Sequence, residues 1–372
     1  MKIIHIAPFY APVIGGMEEV VKRVAEHLAR DNEVYVVTYN RLRKGGRGKL
    51  PREEEINGVK VIRLKPTLIW SHGTYSEELP QAIKRLRPDV VHVHAWRHPH
   101  VFQTAKLKDK LGFRAILHPH APYHTMKQVG IVTWTYYKFI DTFLKNVLTK
   151  YDKIIALTPH EEKTLTEIGV GEGKIVVIPH GIDEGIIDQN NIKDEATLLY
   201  VGRISKAKNL DLLIKAMKHI NKQVKDARLI VAGPDEGLAQ DIVRQARKNS
   251  LKIEYLGVVG EEAKHELYRK AAVLTHPAIY EPFGITLLEA QAHGTPCVIT
   301  GRGGQIYAAP PGRTSLYAEP DPVKYAEGVV ELITNKDLHR TLSNNAVEWA
   351  RQHTWSRIMP MYKKLYQEIA QR

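Results

Sequence analysis

The chain has 372 residues, 43% of them hydrophobic and 26% charged, which is too long for one ordinary core and suits two α/β domains of about 100–200 residues each. The absence of any low-complexity tract excludes a fibre, a repeat array and a disordered chain, and the single cysteine, Cys297, excludes an intramolecular disulfide and a multi-cysteine metal or iron–sulfur site and fits a reducing cytoplasm. The formal net charge of +13 is uneven: through Asp183, 28 Lys and Arg stand against 19 Asp and Glu. Much of the excess lies between Arg41 and Arg52, where Arg43, Lys44, Arg47 and Lys49 are interrupted by three glycines and no acid; such a segment could meet anionic lipid, phosphate or nucleic acid, or be a solvated loop.

The chain opens on Lys2-Ile3-Ile4-His5-Ile6-Ala7, an apolar run far shorter than a bilayer span, which reads as a first strand. Helix-like and strand-like segments then alternate: 18–30, 33–38, 59–64, 79–87 and 89–94. That alternation predicts a parallel sheet. Runs such as Asp89-Val90-Val91-His92-Val93 and Arg228-Leu229-Ile230-Val231-Ala232 are apolar almost throughout, as strands buried on both faces are. Polar residues cluster at their C-terminal ends, the edge at which open α/β sheets bind ligands.

The pattern loosens through the polar stretch Glu184 to Glu195 and restarts at Thr197-Leu198-Leu199-Tyr200-Val201-Gly202. We therefore divide the chain into 1–183, a hinge at 184–196, and 197–355. In the second half the alternation runs through 210–220, 229–232, 238–249, 253–256, 262–270, 273–276, 287–293 and 296–299. The remainder, 356–372, contains an amphipathic helix at 362–369 with no strand after it, expected to pack back on the N-terminal domain.

The most informative segment is Glu281-Pro282-Phe283-Gly284-Ile285-Thr286-Leu287-Leu288-Glu289-Ala290, which follows a strand ending at His276-Pro277 and opens a helix. Unpaired amides at Gly284, Ile285 and Thr286, with the helix dipole behind them, suit a diphosphate. Carboxylates at Glu281 and Glu289 can accept hydrogen bonds from sugar and ribose hydroxyls.

This segment resembles the glutamate-pair motif of glycosyltransferase family 4, the retaining group 1 enzymes. The resemblance implies the GT-B fold, two Rossmann-like α/β domains facing each other across a cleft, with the acceptor on the N-terminal domain and a nucleotide diphosphate sugar on the C-terminal one. It extends over nearly the whole chain. Gly202-Arg203-Ile204-Ser205-Lys206-Ala207-Lys208-Asn209-Leu210 resembles the segment that binds the donor diphosphate through Arg203 and Lys208, cations suited to the charge that builds on the leaving group. By the same resemblance Glu289 takes the donor ribose, Glu281 the transferred sugar, and His120 in Leu117-His118-Pro119-His120-Ala121 is the active-site histidine.

His94 in the strand above falls on the acceptor side, as does Gly15. Gly15-Gly16 resembles the N-domain glycine loop, with Gly16 toward the donor, although such a pair serves equally as a plain turn. Gly233-Pro234-Asp235 resembles a loop facing the donor base, or is a simple strand-to-helix turn. Ile178-Pro179-His180-Gly181-Ile182-Asp183 resembles the interdomain segment, with His180 where Asn or Pro is common. Gly303-Gly304 lacks the acidic residue the family usually has shortly afterwards.

The sequence contains no Asp-x-Asp triplet, so no metal and no cofactor is expected beyond the nucleotide sugar as co-substrate. The expected reaction is transfer of a sugar, with retention, to a hydroxyl of a glycan, lipid or small molecule, either in the cytoplasm or peripherally at the inner membrane face. The alternatives are a nucleotide-sugar epimerase of similar fold and a silent sugar-nucleotide binder. No nucleic-acid motif accompanies the basic segment, so no nucleic-acid partner is expected. An aromatic run, Trp134-Thr135-Tyr136-Tyr137-Lys138-Phe139, could lie at a lipid interface or simply be packed.

Overall fold

The computed structural model describes residues 1–13, 15–42, 50–70, 73–120, 126–188 and 193–371, the side chains of 127 and 128 aside. Contacts divide the chain into a first unit, Met1–Pro179 with Ile358–Arg372, and a second, His180–Arg357.

The first unit is built from β1 (Lys2–Ile6), α1 (Gly16–Leu28), β2 (Glu33–Tyr39), β3 (Glu53–Ile56), β4 (Val59–Leu64), β5 (Leu68–Trp70), β6 (Gly73–Tyr75), α2 (Glu78–Leu86), β7 (Val90–His94), α3 (Pro99–Leu111), β8 (Arg114–His118), α4 (Met126–Val129), α5 (Ile131–Phe139), β9 (Lys153–Ala156), α6 (Pro159–Glu167) and β10 (Ile175–Val177). Its main sheet has the order β10-β9-β8-β7-β1-β2-β4-β3. β1 lies between β2 and β7, parallel to both, and its Ile3, Ile4 and Ile6 are fully buried; a strand covered on both faces needs this continuous apolar run.

The expected parallel sheet carries one antiparallel strand at its edge. β3 runs antiparallel to β4 because Asn57 (φ 51°) and Gly58 (φ 80°) make a two-residue hairpin turn, for which Asn-Gly is the preferred pair. The acidic run Glu53-Glu54-Glu55 hides this strand from a hydrophobicity reading. A separate antiparallel hairpin pairs β5 with β6.

The second unit comprises β11 (Asp194–Val201), α7 (Leu210–Gln223), β12 (Arg228–Ala232), α8 (Ala239–Lys248), β13 (Ile253–Gly257), α9 (Glu261–Lys270), β14 (Ala271–His276), α10 (Ile285–Ala292), β15 (Cys297–Ile299), α11 (Gln305–Ala308), β16 (Ser315–Tyr317), α12 (Pro322–Thr334) and α13 (Lys336–Arg351). Its strands, all parallel, lie in the order β13-β12-β11-β14-β15-β16. In chain order this is 3-2-1-4-5-6, the dinucleotide-binding arrangement, whose direction reverses at β11 and opens a ligand crevice beyond the C-terminal ends of β11 and β14. The core beneath is formed by Leu213, Met217 and Ile220 of α7 with Tyr325, Val329 and Leu332 of α12.

The last helix, α14 (Trp355–Ala370), starts seven residues before the expected 362 and carries Pro360 inside it. From Ile358 it belongs to the first unit: Tyr362, Tyr366 and Ile369 are buried there, and Lys363 Nζ lies 3.1 Å from Asp31.

Candidate active site

In the second unit the chain leaves β11 at Gly202-Arg203 and makes a single 3₁₀ turn, Lys206–Lys208, ended by Asn209 in the left-handed region. β14 ends at His276, and the loop after it is tied to that turn by the Ile279 amide donating to the Ala207 carbonyl at 3.0 Å. This register sets Lys208 against Glu281. The Lys208 ammonium donates to Glu281 Oε2, the His276 Nε2 atom lies 3.3 Å from the same oxygen, and 15% and 13% of the Lys208 and Glu281 side chains are exposed. Burial pushes the Glu281 carboxyl up, but the charge of Lys208 and the hydrogen bonds from His276 and Lys208 outweigh it and hold the group well below the ordinary carboxylate range. Glu281 is therefore a fixed anion.

The backbone of this turn is braced from behind. The Glu281 amide donates to the Arg302 carbonyl at 3.3 Å and the Gly304 amide to the Glu281 carbonyl at 2.6 Å. A Cβ on Gly303 would lie 2.5 Å from the Glu281 carbonyl oxygen, and one on Gly304 would lie 2.0 Å from that of Pro282. The paired glycines thus serve backbone approach to the Glu281 turn. Gly284, at φ 106°, turns the chain into α10, whose first-turn amides, including those of Ile285 and Thr286, have no intrahelical partner.

Glu289 lies on α10. Lys264 Nζ donates to its Oε1 and the Tyr268 hydroxyl to its Oε2, both at 2.9 Å, so each member of the glutamate pair is held by a lysine and a second polar group. The sequence reading missed Lys264, Tyr268 and His276. Lys264 and Tyr268 come from a segment without a local motif, and only the placement of α9 beside α10 brings them in, whereas His276 reaches Glu281 through the fold of the loop after β14.

Arg203 is half exposed and paired with Glu236 at 2.7 Å, so it does not join Lys208 and Glu281 in this arrangement. Gly233 (φ 140°) has a packing explanation: a Cβ there would lie 2.0 Å from the Gly202 carbonyl oxygen. In the same loop, Asp235 Oδ1 accepts the amides of Gly237, Leu238 and Ala239 and so opens α8. Buried His180 presents its ring to Phe283 edge-on, with centroids 5.3 Å apart; burial lowers its pKa to about 4, against the opposing pull of Glu281.

In the first unit, Gly15 has an extended backbone (φ 171°) and Gly16 starts α1. His94 ends β7 and His120 lies two residues past β8, with φ 51°. His94 Nδ1 is 2.9 Å from His120 Nε2, and His94 Nε2 is 3.0 Å from His5 Nδ1. The His118 and His120 rings stack with centroids 3.7 Å apart and planes 18° apart. Burial, helped by neighbouring histidines, holds His92 and His94 well below the usual histidine range, and burial lowers His5 to about 3. The ring nitrogens of His5, His92 and His94, and of His94, His118 and His120, lie within 4.8 Å of one another in each set. A metal must lie in the plane of each imidazole that binds it, which the His118–His120 stack does not permit for one ion. We therefore read His118 and His120 as stacked imidazoles that do not share one ion.

Of the basic segment, 43–49 lie outside the described residues, as do Ile14 beside the glycine pair, Ala121 beside His120, and 189–192 of the expected hinge. At its ends Arg41 is buried and donates to Thr74 Oγ1 at 2.7 Å, and Arg52 pairs with Glu78 at 2.8 Å.

The second unit is Rossmann-like, with a sheltered lysine–glutamate pair and a helix N-terminus at its switch point, the edge at which sheets of this class open a crevice. Comparison with known proteins is more specific. Residues 14–185 match the family described as "Glycosyltransferase Family 4" and residues 183–349 match "Glycosyl transferases group 1". An uncharacterized glycosyltransferase of Methanocaldococcus jannaschii is 28% identical, with 96% of each chain covered. Among solved structures, the sucrose-phosphate synthase from Thermosynechococcus elongatus superposes with a TM-score of 0.84 at 22% identity, covering 99% of this chain and 98% of that one. The Anabaena protein HepE, in complex with UDP and glucose, gives 0.77 at 16% identity, covering 99% and 100%. The chain belongs to the group 1 glycosyltransferases, family 4, and has the GT-B fold.

Proposed function

We propose that this glycosyltransferase moves a sugar from a nucleotide diphosphate donor to a hydroxyl acceptor with retention at the anomeric carbon and without a metal. The observation that carries this reading is the Lys208–Glu281 pair, a fixed cation and a fixed anion in one sheltered turn beside the start of α10. The α10 amides and Lys208 hold the diphosphate and stabilise the negative charge it gains as the glycosidic bond breaks. Glu281 accepts hydrogen bonds from the sugar, and Glu289 exchanges its Lys264 and Tyr268 partners for the ribose hydroxyls. Arg203 leaves Glu236 to join the diphosphate. HepE, of like fold, was solved with UDP and glucose, which supports a nucleotide diphosphate donor. His120 serves the transfer from the first unit. Product NMR tests the stereochemistry: the expected product keeps the donor's anomeric configuration, in EDTA as without it, and an inverted linkage would sink the reading.

We further propose that the acceptor is met at an anionic lipid surface. Val132 of α5 and Phe143 just beyond it are 82% and 69% exposed, and Ile131 and Phe139 are also exposed. Lys138 and Lys145 lie in the same stretch, a combination that suits an interface. Among the described residues no helix is long and apolar enough to cross a membrane, so contact would be peripheral. Co-sedimentation with phosphatidylglycerol vesicles, lost in Val132→Glu/Phe143→Glu and absent with phosphatidylcholine alone, is the expected result; equal sedimentation of both proteins would contradict it.

A further inference from the structure

The last carbonyls of a helix have no intrahelical partner and are satisfied from outside it. In α10, which carries Glu289 and starts at the Gly284 turn, the carbonyls from Ala290 to His293 can be followed one by one. Ala290 accepts from the amides of His293 and Thr295, and Gln291 from the amide of Gly294, where the chain turns back at φ 63°. Ala292 accepts from the Asp188 amide at 2.9 Å, and His293 from the Lys193 ammonium at 2.8 Å. The last two partners both come from the stretch 184–196, which reads in the sequence as a hinge.

Lys193 does more than cap the helix. Its Nζ also donates to the Tyr268 carbonyl at the end of α9 at 3.1 Å and to Thr295 Oγ1 at 2.5 Å, while the Thr295 hydroxyl gives its own proton to the Tyr268 carbonyl at 2.6 Å. Three acceptors thus surround one nitrogen, which matches the three protons of an ammonium; a neutral amine has two and would turn a lone pair toward the third acceptor. The positive charge also opposes the negative end of the α10 dipole. Lys193 directly precedes β11, so one cation fastens the first strand of this unit, α9 and the end of α10 to one another. Tyr268 and Thr295 are fully buried, so the fastening lies inside the unit and not on its surface.

We propose that Lys193 is a positioning residue for the donor nucleotide: its ammonium fixes α10 against α9 and β11, and with it both parts of α10 that meet the donor, the amides at its start and Glu289. The proposal rests on the reading above that α10 holds the nucleotide. Lys193 lies at the opposite end of α10 from the Gly284 turn and acts through the helix, not on the ligand. It gives the stretch before β11 a task in donor binding that its polar sequence does not show.

The test is calorimetric titration with UDP, GDP and ADP at pH 6, beside hydrogen exchange of residues 285–293. It compares the wild type, Lys193→Cys, and Lys193→Cys alkylated with 2-bromoethylamine, which rebuilds an ammonium on a side chain of lysine length. Burial lowers the Lys193 amine to about 7, against the opposing charge of Asp188, so at pH 6 it is charged; the native cysteine, Cys297, is fully buried and out of the reagent's reach. Lys193→Cys is expected to bind the nucleotide about fivefold more weakly, to exchange faster at the end of α10, and to raise KM for the donor with kcat unchanged. The alkylated protein is expected to recover on all three counts. Thr295→Val, which removes one of the three acceptors and keeps the shape, should show a smaller loss in the same direction. Unchanged nucleotide affinity in Lys193→Cys or in Thr295→Val, or no recovery on alkylation, would overturn the proposal. Absence of nucleotide binding by the wild type would overturn the donor reading, while the exchange result would still decide whether Lys193 holds α10.

Discussion

Lys208→Ala is expected to lower kcat/KM for sugar transfer by about 10²–10³-fold, the cost of removing one preorganised group from a developing charge. The same substitution strands Glu281 in a site where 13% of its side chain is exposed, so the protein should also lose stability. Removing one partner of a buried pair costs about 3–5 kcal/mol, and His276, which remains beside the carboxylate, favours the lower end. Lys208→Ala/Glu281→Gln, which removes both charges, should regain much of the stability and none of the activity. That split between melting temperature and rate distinguishes a catalytic cation from a structural one. A sign argument adds to it: because the Glu281 carboxyl titrates below its unfolded value, the pair's stabilisation is present above about pH 4.3 and lost as pH falls below it. Activity within twofold of wild type in Lys208→Ala would refute the assignment.

Gly304→Ala should be nearly as damaging, although Gly304 is not expected to touch any ligand. The added methyl group would lie 2.0 Å from the Pro282 carbonyl oxygen, 2.6 Å from its carbon and 2.8 Å from Phe283 Cα, all of them backbone atoms that cannot swing aside. The turn carrying Glu281 must move, and a displacement of about 1 Å at a reacting group can cost about 10²-fold in rate. The overpacking itself should cost about 1–3 kcal/mol. Gly185→Ala, where an added Cβ meets nothing within 4 Å, is the matched control. Steady-state kinetics and thermal melts of the two variants check this; equal behaviour would show that the turn is not braced from 303–304.

The periodicity of the sequence was enough to place most strands and helices, because a parallel sheet covered on both faces demands long apolar runs and its helices demand amphipathic ones. Where those demands relax, the reading failed. β3 is an acidic edge strand, and its turn at Asn57-Gly58 carried the antiparallel signal that hydrophobicity did not. The glutamate pair was visible because a helix start, its glycine and its carboxylates fall within ten residues of one another. Lys264 and Tyr268 were invisible because their contacts with Glu289 depend on α9 lying beside α10, and His276 because its contact with Glu281 depends on how the loop after β14 turns back. Gly233, which the sequence reads either as part of a loop facing the donor base or as a simple turn, also has a packing cause that only the structure shows, in the backbone of Gly202. The buried histidines of the first unit were legible only as separate residues; His5 and His94 meet once β1 and β7 are adjacent.

The central claim is that the second unit holds a nucleotide diphosphate sugar at the Lys208–Glu281 turn and α10. Calorimetric titration of the protein with UDP-, GDP- and ADP-sugars in EDTA, repeated on Glu289→Ala, tests it most directly. The account predicts saturable binding of at least one donor by the wild type without metal, and a loss of affinity of about tenfold or more in Glu289→Ala as a charged hydrogen-bond acceptor for the ribose is removed. Binding that appears only with a divalent cation, equal binding by both proteins, or no binding of any donor would contradict it.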